Sequence, residues 1–276
     1  MTITNYNVGL ASAYPPYSNS TFLDDNFTED VYHFSVNNPS SINLNLHNIT
    51  AGDNADIYLY SDDGDGLFEL NEDLQLAISE RVVNSDDSIN YFIEPGDYFA
   101  RVVRDEPDSQ GRLDYELDLS ASMIRPSREQ APNLLPEELE VGTITTSFLP
   151  NTFTPNTPET ITLSGEVGNF DSADTYHFSA VSPNSSSGGD GVIITASLTG
   201  LTSDADIRLI EDRNGNQIVD PGEVIESSTL GSTSNESFSQ FIGGQDLLIY
   251  DYFVQVYQYS GETSYDLNMS FTAALG

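Results

Sequence analysis

Ala205-Asp-Ile-Arg-Leu-Ile-Glu-Asp-Arg-Asn-Gly-Asn-Gln-Ile-Val-Asp-Pro-Gly-Glu223 is the stretch on which the fold turns. Asp212, Asn214, Asn216, Ile218, Asp220 and Glu223 stand at positions 1, 3, 5, 7, 9 and 12 of a twelve-residue loop, the spacing by which a flexible chain wraps oxygen ligands around Ca²⁺. Asp212, Asn214 and Asn216 would each offer a side-chain oxygen and Ile218 its carbonyl. Asp220 would give a carboxylate, directly or through water, and Glu223 a bidentate one. The flanks argue against an EF-hand, which needs two amphipathic helices that open around a groove. Residues 205–210 alternate like a strand, Val224-Ile225 continues as β-branched chain, and Gln217 stands at position 6 where an EF-hand has Gly. The expectation is therefore an EF-hand-like calcium loop between two strands.

A second copy lies upstream. Ala55-Asp-Ile-Tyr-Leu-Tyr60 matches Ala205 to Ile210 and runs into Ser61-Asp-Asp-Gly-Asp-Gly-Leu-Phe-Glu-Leu-Asn-Glu72. With Glu72 at position 12, Ser61, Asp63, Asp65, Leu67 and Glu69 take positions 1, 3, 5, 7 and 9, and Gly66 takes position 6. Ser61 is a poor first ligand, and a shift of one residue puts Asp62 there. Asp, Asn and Gly also dominate ordinary turns, so an acidic turn holding no ion has the same composition. Asp56 and Asp206, at the start of the two loop strands, either complete the ion sites or cap turns.

The copies belong to a longer duplication. Val8-Gly9 pairs with Val141-Gly142, Asp30-Val-Tyr-His-Phe-Ser35 with Asp174-Thr-Tyr-His-Phe-Ser179, Asp97-Tyr-Phe-Ala-Arg-Val102 with Asp251-Tyr-Phe-Val-Gln-Val256, and Tyr115-Glu-Leu-Asp-Leu-Ser120 with Tyr265-Asp-Leu-Asn-Met-Ser270. Within each copy the apolar pattern has period two: Ile42, Leu44 and Leu46 lie opposite Asn43, Asn45 and His47, and Val192, Ile194 and Ala196 lie opposite Ile193, Thr195 and Ser197. Short half-buried strands bounded by Asn, Asp, Gly and Pro clusters imply an all-β chain of two tandem antiparallel β-sandwich (jelly-roll-like) domains. The expected boundaries are 1–122 for the first sandwich, 123–140 for a proline-containing linker with a helical turn at Pro136 to Leu139, and 141–276 for the second sandwich.

Composition removes several function classes. The net charge is -36, and all eight basic residues are arginine, so nucleic acid and anionic membranes are poor partners. Without lysine there is no Walker-type phosphate loop and no Schiff-base chemistry. There is no cysteine and hence no disulfide framework. No stretch approaches the length needed to insert in a membrane, and the start lacks a basic n-region and an apolar h-region. Export by a C-terminal type I-like signal is one expectation, because the acidic, cysteine-free chain ends in Met269-Ser-Phe-Thr-Ala-Ala-Leu-Gly276. Millimolar extracellular calcium would also fill weak loops.

The ordered blocks resemble the bacterial pre-peptidase C-terminal domain. Asp30-Tyr32-Phe34, Asn54-Ala55-Asp56, Pro95-Gly96-Asp97-Tyr98 with Val102, and Tyr115-Leu117 carry the resemblance in the first copy. Asp174-Tyr176-Phe178, Asp204-Ala205-Asp206, Tyr252 with Val256, and Tyr265-Leu267 carry it in the second. That resemblance implies a secreted β-sandwich with calcium-assisted folding, similar to the collagen-binding modules of clostridial collagenases, and binding to an extracellular polysaccharide or protein matrix. The function expected is a secreted, calcium-binding, non-catalytic adhesive or extracellular binding module at the cell surface. The alternative is an accessory or chaperone-like partner of a secreted hydrolase. No Gly-x-Ser-x-Gly elbow or i, i+4 histidine pair is present, and carboxylates are too abundant for any pair to signal catalysis. His33 and His177 read as surface residues beside packed aromatics. Tyr14, Tyr17, Tyr58, Tyr60, Tyr257 and Tyr259 read as packing before they read as a stacking platform.

Overall fold

The computed structural model describes residues 3–82, 84–105, 111–123, 131–149, 154–181, 190–243, 246 and 250–276. Among these there is no α-helix, and the regular elements are eighteen strands numbered in chain order. The chain divides into two compact units, Met1–Glu138 with Phe170–Ser172, and Leu139–Asn169 with Ala173–Gly276.

In the first unit, β1 (Ile3–Leu10), β3 (Glu29–Val36), β8 (Gly96–Asp105), β5 (Asn54–Ser61) and β6 (Leu74–Ser79) form a five-stranded sheet in that order. β2 (Tyr17–Asp24), β9 (Arg112–Met123), β4 (Ser40–His47) and β7 (Asp87–Ile93) form a four-stranded sheet. Period-two alternation turns one face of each sheet inward. Ile42, Leu44 and Leu46 of β4, Leu113, Leu117 and Leu119 of β9, Tyr32 and Phe34 of β3 and Ile57 and Leu59 of β5 share one buried core. A sandwich follows, because the two sheets bury their larger apolar faces against each other, while Val31, Tyr60 and Phe99 form a small cluster on the other face of the five-stranded sheet.

The second unit repeats the plan strand for strand. β10 (Leu139–Thr145), β12 (Ala173–Val181), β17 (Asp251–Ser260), β14 (Asp204–Asp212) and β15 (Val224–Ser228) make its five-stranded sheet. β11 (Glu159–Val167), β18 (Thr263–Leu275), β13 (Asp190–Thr199) and β16 (Glu236–Gly243) make its four-stranded one. Adding nine to each label of the first unit reproduces both orders, so the duplication visible in sequence is a duplication of topology. Val192, Ile194 and Ala196 face the core while Ile193 is exposed, as the alternation predicts.

Two features depart from expectation. The sheets are antiparallel except at one edge, where β1 pairs with β3, and β10 with β12, in parallel. The intervening strand lies in the other sheet, so the chain returns in the direction it left. Each parallel pair shifts register at a glycine, Gly9 (φ 78°) or Gly142 (φ 93°), the residues that stood out in the sequence repeat. A bulge needs this left-handed backbone, which glycine adopts without a Cβ clash.

The second departure concerns the segment read as a linker. Residues 124–130 lie outside the described residues, but 131–138 pack onto the first unit and contain no helical turn. Leu134 and Leu135 are fully buried. The Asn133 amide donates to the Ala13 carbonyl at 2.8 Å, the Arg81 guanidinium donates to the carbonyls of Glu137 and Glu138, and Glu138 Oε1 accepts from Ser88 (2.5 Å) and Asn90 (2.9 Å). Pro132 and Pro136 oppose a helix, while the two leucines supply the apolar surface that holds the segment as a strap. On the outer face of the four-stranded sheet Asn43, Asn45, Asp118 and Ser120 are buried.

Candidate metal loops

The loop of the second unit begins where β14 stops hydrogen-bonding in register. Asp212 is the last residue of that strand, opposite Asp251 of β17, and is only 2% exposed. Its two carboxylate oxygens accept the N–H groups of Gly215 (2.8 Å) and Gln217 (2.9 Å). Asn214 Oδ1 accepts from the Asn216 N–H (3.1 Å), and Asn216 Oδ1 from the Ile218 N–H (2.9 Å). These side-chain-to-backbone bonds are what Asp and Asn make in turns, and they curl positions 1 to 7 around a common centre. Gln217 adopts φ 55°, so position 6 keeps the left-handed conformation without the glycine.

Glu223 closes the loop. It is 4% exposed, Oε1 accepts the Arg213 N–H (2.9 Å) and Oε2 accepts the Asp220 N–H (2.8 Å). Burial raises its pKa despite those two bonds, with the charges of Asp212 and Asp220 adding to the rise. Asp220 Oδ2 accepts from the amides of Asn214 (2.7 Å) and Asn216 (3.2 Å). Asp212, Asn214, Asn216, Asp220 and Glu223, the five side chains singled out by the spacing, are thus tied to one another and to the backbone of a single loop. Val219 buries its side chain and anchors the loop.

The loop of the first unit has the same plan with different ends. Asp63 Oδ1 accepts from the Asp65 N–H and Asp65 Oδ1 from the Leu67 N–H, the same two-residue bonds that Asn214 and Asn216 make, and Gly66 has φ 77°. Leu67 is exposed, so only its carbonyl can contribute. Ser61 is still in β5, paired with Tyr98 and Leu74, and Asp62 is the residue whose carboxylate accepts the N–H groups of Gly64 (2.8 Å) and Gly66 (3.1 Å). At the far end Glu72 is exposed. The buried Asp73 takes the place of Glu223, accepting from the N–H groups of Asp63 (3.1 Å) and Glu69 (2.7 Å). Asp62, Asp63 and Asp73 each bring a carboxylate oxygen within 4.8 Å of the others. Sequence reasoning missed Asp73, although counting twelve residues from Asp62 reaches it, and β6 starts immediately afterwards as β15 does after Glu223. Glu69 is exposed, its pKa raised first by the charge of Glu72. Phe68 anchors this loop edge-on against Tyr60 (5.1 Å) and Phe99 (5.5 Å).

Asp56 and Asp206 stand apart from the loops. Each lies six residues before the anchoring aspartate along an extended strand, about 20 Å away, and completes neither site. The donor set of each loop is oxygen only, its anchoring carboxylates are held by backbone N–H groups, and its centre is ringed by acid. That chemistry fits a hard divalent cation such as Ca²⁺ and not a thiophilic one.

The remaining motif residues serve the core. Tyr32 of β3 bonds Tyr115 of β9 (O···O 2.7 Å), and Tyr115 donates to Asp30 at 2.5 Å. Tyr176 and Tyr265 repeat this at 2.6 Å, with Tyr265 donating to Asp174. The recurring Asp-x-Tyr and Tyr-x-Leu blocks are therefore a buried clasp between the two sheets of each unit, and burial raises the pKa of both aspartates. His33 and His177 lie against Phe99 and Phe253, with ring centroids at 5.0 and 4.9 Å. Tyr60 and Tyr257 are buried and Tyr58 donates to Glu80, so these tyrosines pack as expected.

Residues 28–104 match the sequence profile of the bacterial pre-peptidase C-terminal domain. Among solved structures, the pre-peptidase C-terminal domain of collagenase from Bacillus anthracis is similar at 19% identity, over 44% of this chain and 97% of that one, with a TM-score of 0.31. A structure of Bacillus endospore appendages matches at 12% identity over 43% and 88%, with a TM-score of 0.27. The Yersinia pseudotuberculosis-derived mitogen matches at 15% identity over 41% and 86%, with a TM-score of 0.26. No curated protein matches the chain.

Proposed function

With a bacterial pre-peptidase C-terminal domain at residues 28–104, and a second unit of the same strand order, we propose that this chain is a secreted, non-catalytic, calcium-binding protein of two tandem modules. Its role is that of an extracellular binding module, attaching to polysaccharide or protein matrix at the cell surface. One observation carries the calcium reading: Asp62, Asp63 and Asp73 bring three carboxylate oxygens within 4.8 Å of one another in the first-unit loop, and Asp212 and Glu223 stand buried at the two ends of the second. A buried acid without a cation is costly, and Ca²⁺ offsets that cost while tying β14 to β15. No helix is long and apolar enough to cross a membrane among the described residues, and domains of this family occur in secreted bacterial proteins.

Ion binding that favours only the folded chain adds to folding stability. Calorimetric titration of the intact chain is expected to show two equivalents of Ca²⁺, in the range of about 10⁻⁵ to 10⁻³ M that suits extracellular loops. Excess chelator is expected to lower the melting temperature by several degrees, and a melting curve indifferent to chelator overturns the calcium reading. The binding role is tested separately, by sedimentation with insoluble polysaccharides and with collagen in calcium. Recovery of the protein in every supernatant counts against it.

A further inference from the structure

The outer face of the first unit's four-stranded sheet carries a donor set of a different kind. His47 ends β4 directly opposite Glu116 of β9, and Asp118 lies two residues along the same face. His47 Nε2 stands 3.0 Å from Asp118 Oδ2, and the three side chains each bring one ligand atom within 4.8 Å of the others. His47 is 5% exposed and Asp118 1%. Asp118 Oδ1 is buried without a hydrogen-bond partner, a costly arrangement for a carboxylate. Glu116 is held in place by Ser18 (2.8 Å to Oε1) and Asn48 (3.3 Å to Oε2). Glu116 also lines a surface depression with Ser20, Asn48, Arg112 and Asp114.

The duplication supplies an internal comparison. At the same register of β13 and β18 the second unit has Thr199 opposite Asp266, with Asn268 two residues along. The shared fold does not require imidazole and two carboxylates here. They occur together, in the first unit alone.

We propose that His47, Glu116 and Asp118 form a binding site for a first-row divalent ion, for which Zn²⁺ is the probe, distinct from the oxygen-only calcium loops. One imidazole and two carboxylates suit zinc, which takes nitrogen and oxygen at about 2.0 to 2.2 Å. Two ligands at such distances on one ion stand about 3.0 to 3.4 Å apart at tetrahedral to right-angle geometry, the separation of His47 and Asp118. The ion would lie between His47 Nε2 and Asp118 Oδ2, the unpartnered Oδ1 of the same carboxylate could bind it as well, and water would fill its open position.

The test uses the intact chain saturated with Ca²⁺, so that the loops are taken, and titrated with Zn²⁺ against a competing chromophoric chelator. The imidazole signals are followed by NMR, which three histidines keep simple. One equivalent is expected to bind with a shift of the His47 signals, and to raise the melting temperature. Glu116→Gln, at a half-buried position that leaves the core untouched, is expected to weaken that equivalent at least tenfold, and His47→Gln to abolish it. Absence of a zinc equivalent, shifts confined to His33 or His177, or unchanged affinity in Glu116→Gln would each show that His47 and Asp118 are an ion pair and nothing more.

Discussion

Glu223 and Asp212 have surrendered their water to sit among backbone N–H groups. Removing one charge from a calcium site lowers its affinity more than it disturbs the fold. Glu223→Gln is expected to weaken the second-unit equivalent about tenfold or more while leaving the first-unit equivalent unchanged, as two-site calorimetry would resolve. Equal loss at both sites would refute independent loops. A different single atom matters at the clasp. Tyr265→Phe removes the hydroxyl that donates to buried Asp174 and bonds Tyr176, at an expected cost of about 1 to 3 kcal/mol in urea unfolding. A change within error would mean that the hydroxyl is exchangeable for water.

The strap shows how an element without regular structure acquires a structural role. Residues 131–138 lack alternation and carry prolines, yet two leucines, the Glu138 carboxylate accepting from β7 and the Asn133 amide donating to the Ala13 carbonyl fasten them to the first unit. Leu135→Ala is expected to destabilise the first unit by about 2 to 4 kcal/mol, since the strap must either keep a cavity or release its face to water. Hydrogen exchange should then quicken at β7. If only the strap's own amides quicken, it is an adornment and not a part of the sandwich. The loops behave oppositely: their backbone is set locally, by Asx turns and left-handed residues, and needs from the strands only an anchor at each end.

The whole molecule carries a net charge of -36, and folding concentrates that charge. Asp56 reports the cost. Burial, then the charges of Asp105, Asp87 and Glu80, raise its pKa to about 7. The native state therefore holds a proton that the unfolded chain releases near pH 4, so this contribution to stability is complete below about pH 4 and is lost as pH rises through 7. In saturating Ca²⁺, melting temperature is expected to fall between pH 5 and pH 8. Asp56→Asn, which imitates the protonated acid, should flatten that slope and melt higher than the native chain at pH 8. A variant with an undiminished slope would place the pH dependence elsewhere.

Strand identity, the inward face of each strand, the duplication and the curl of both acidic loops were legible in the chain, because each is set by residues within about a dozen positions of one another or by blocks that recur in the same order. Period two specifies a face, and Asx spacing specifies a curl, whatever lies around them. What only the tertiary structure decided depends on distant partners. The parallel edge, the strap over a face that looked solvent-exposed, the choice of Asp62 over Ser61 at the head of the first loop, and His47 beside Asp118 all follow from which strands meet and in what register. A one-residue slip in register changes which side chain reaches a site, and no local pattern reports it.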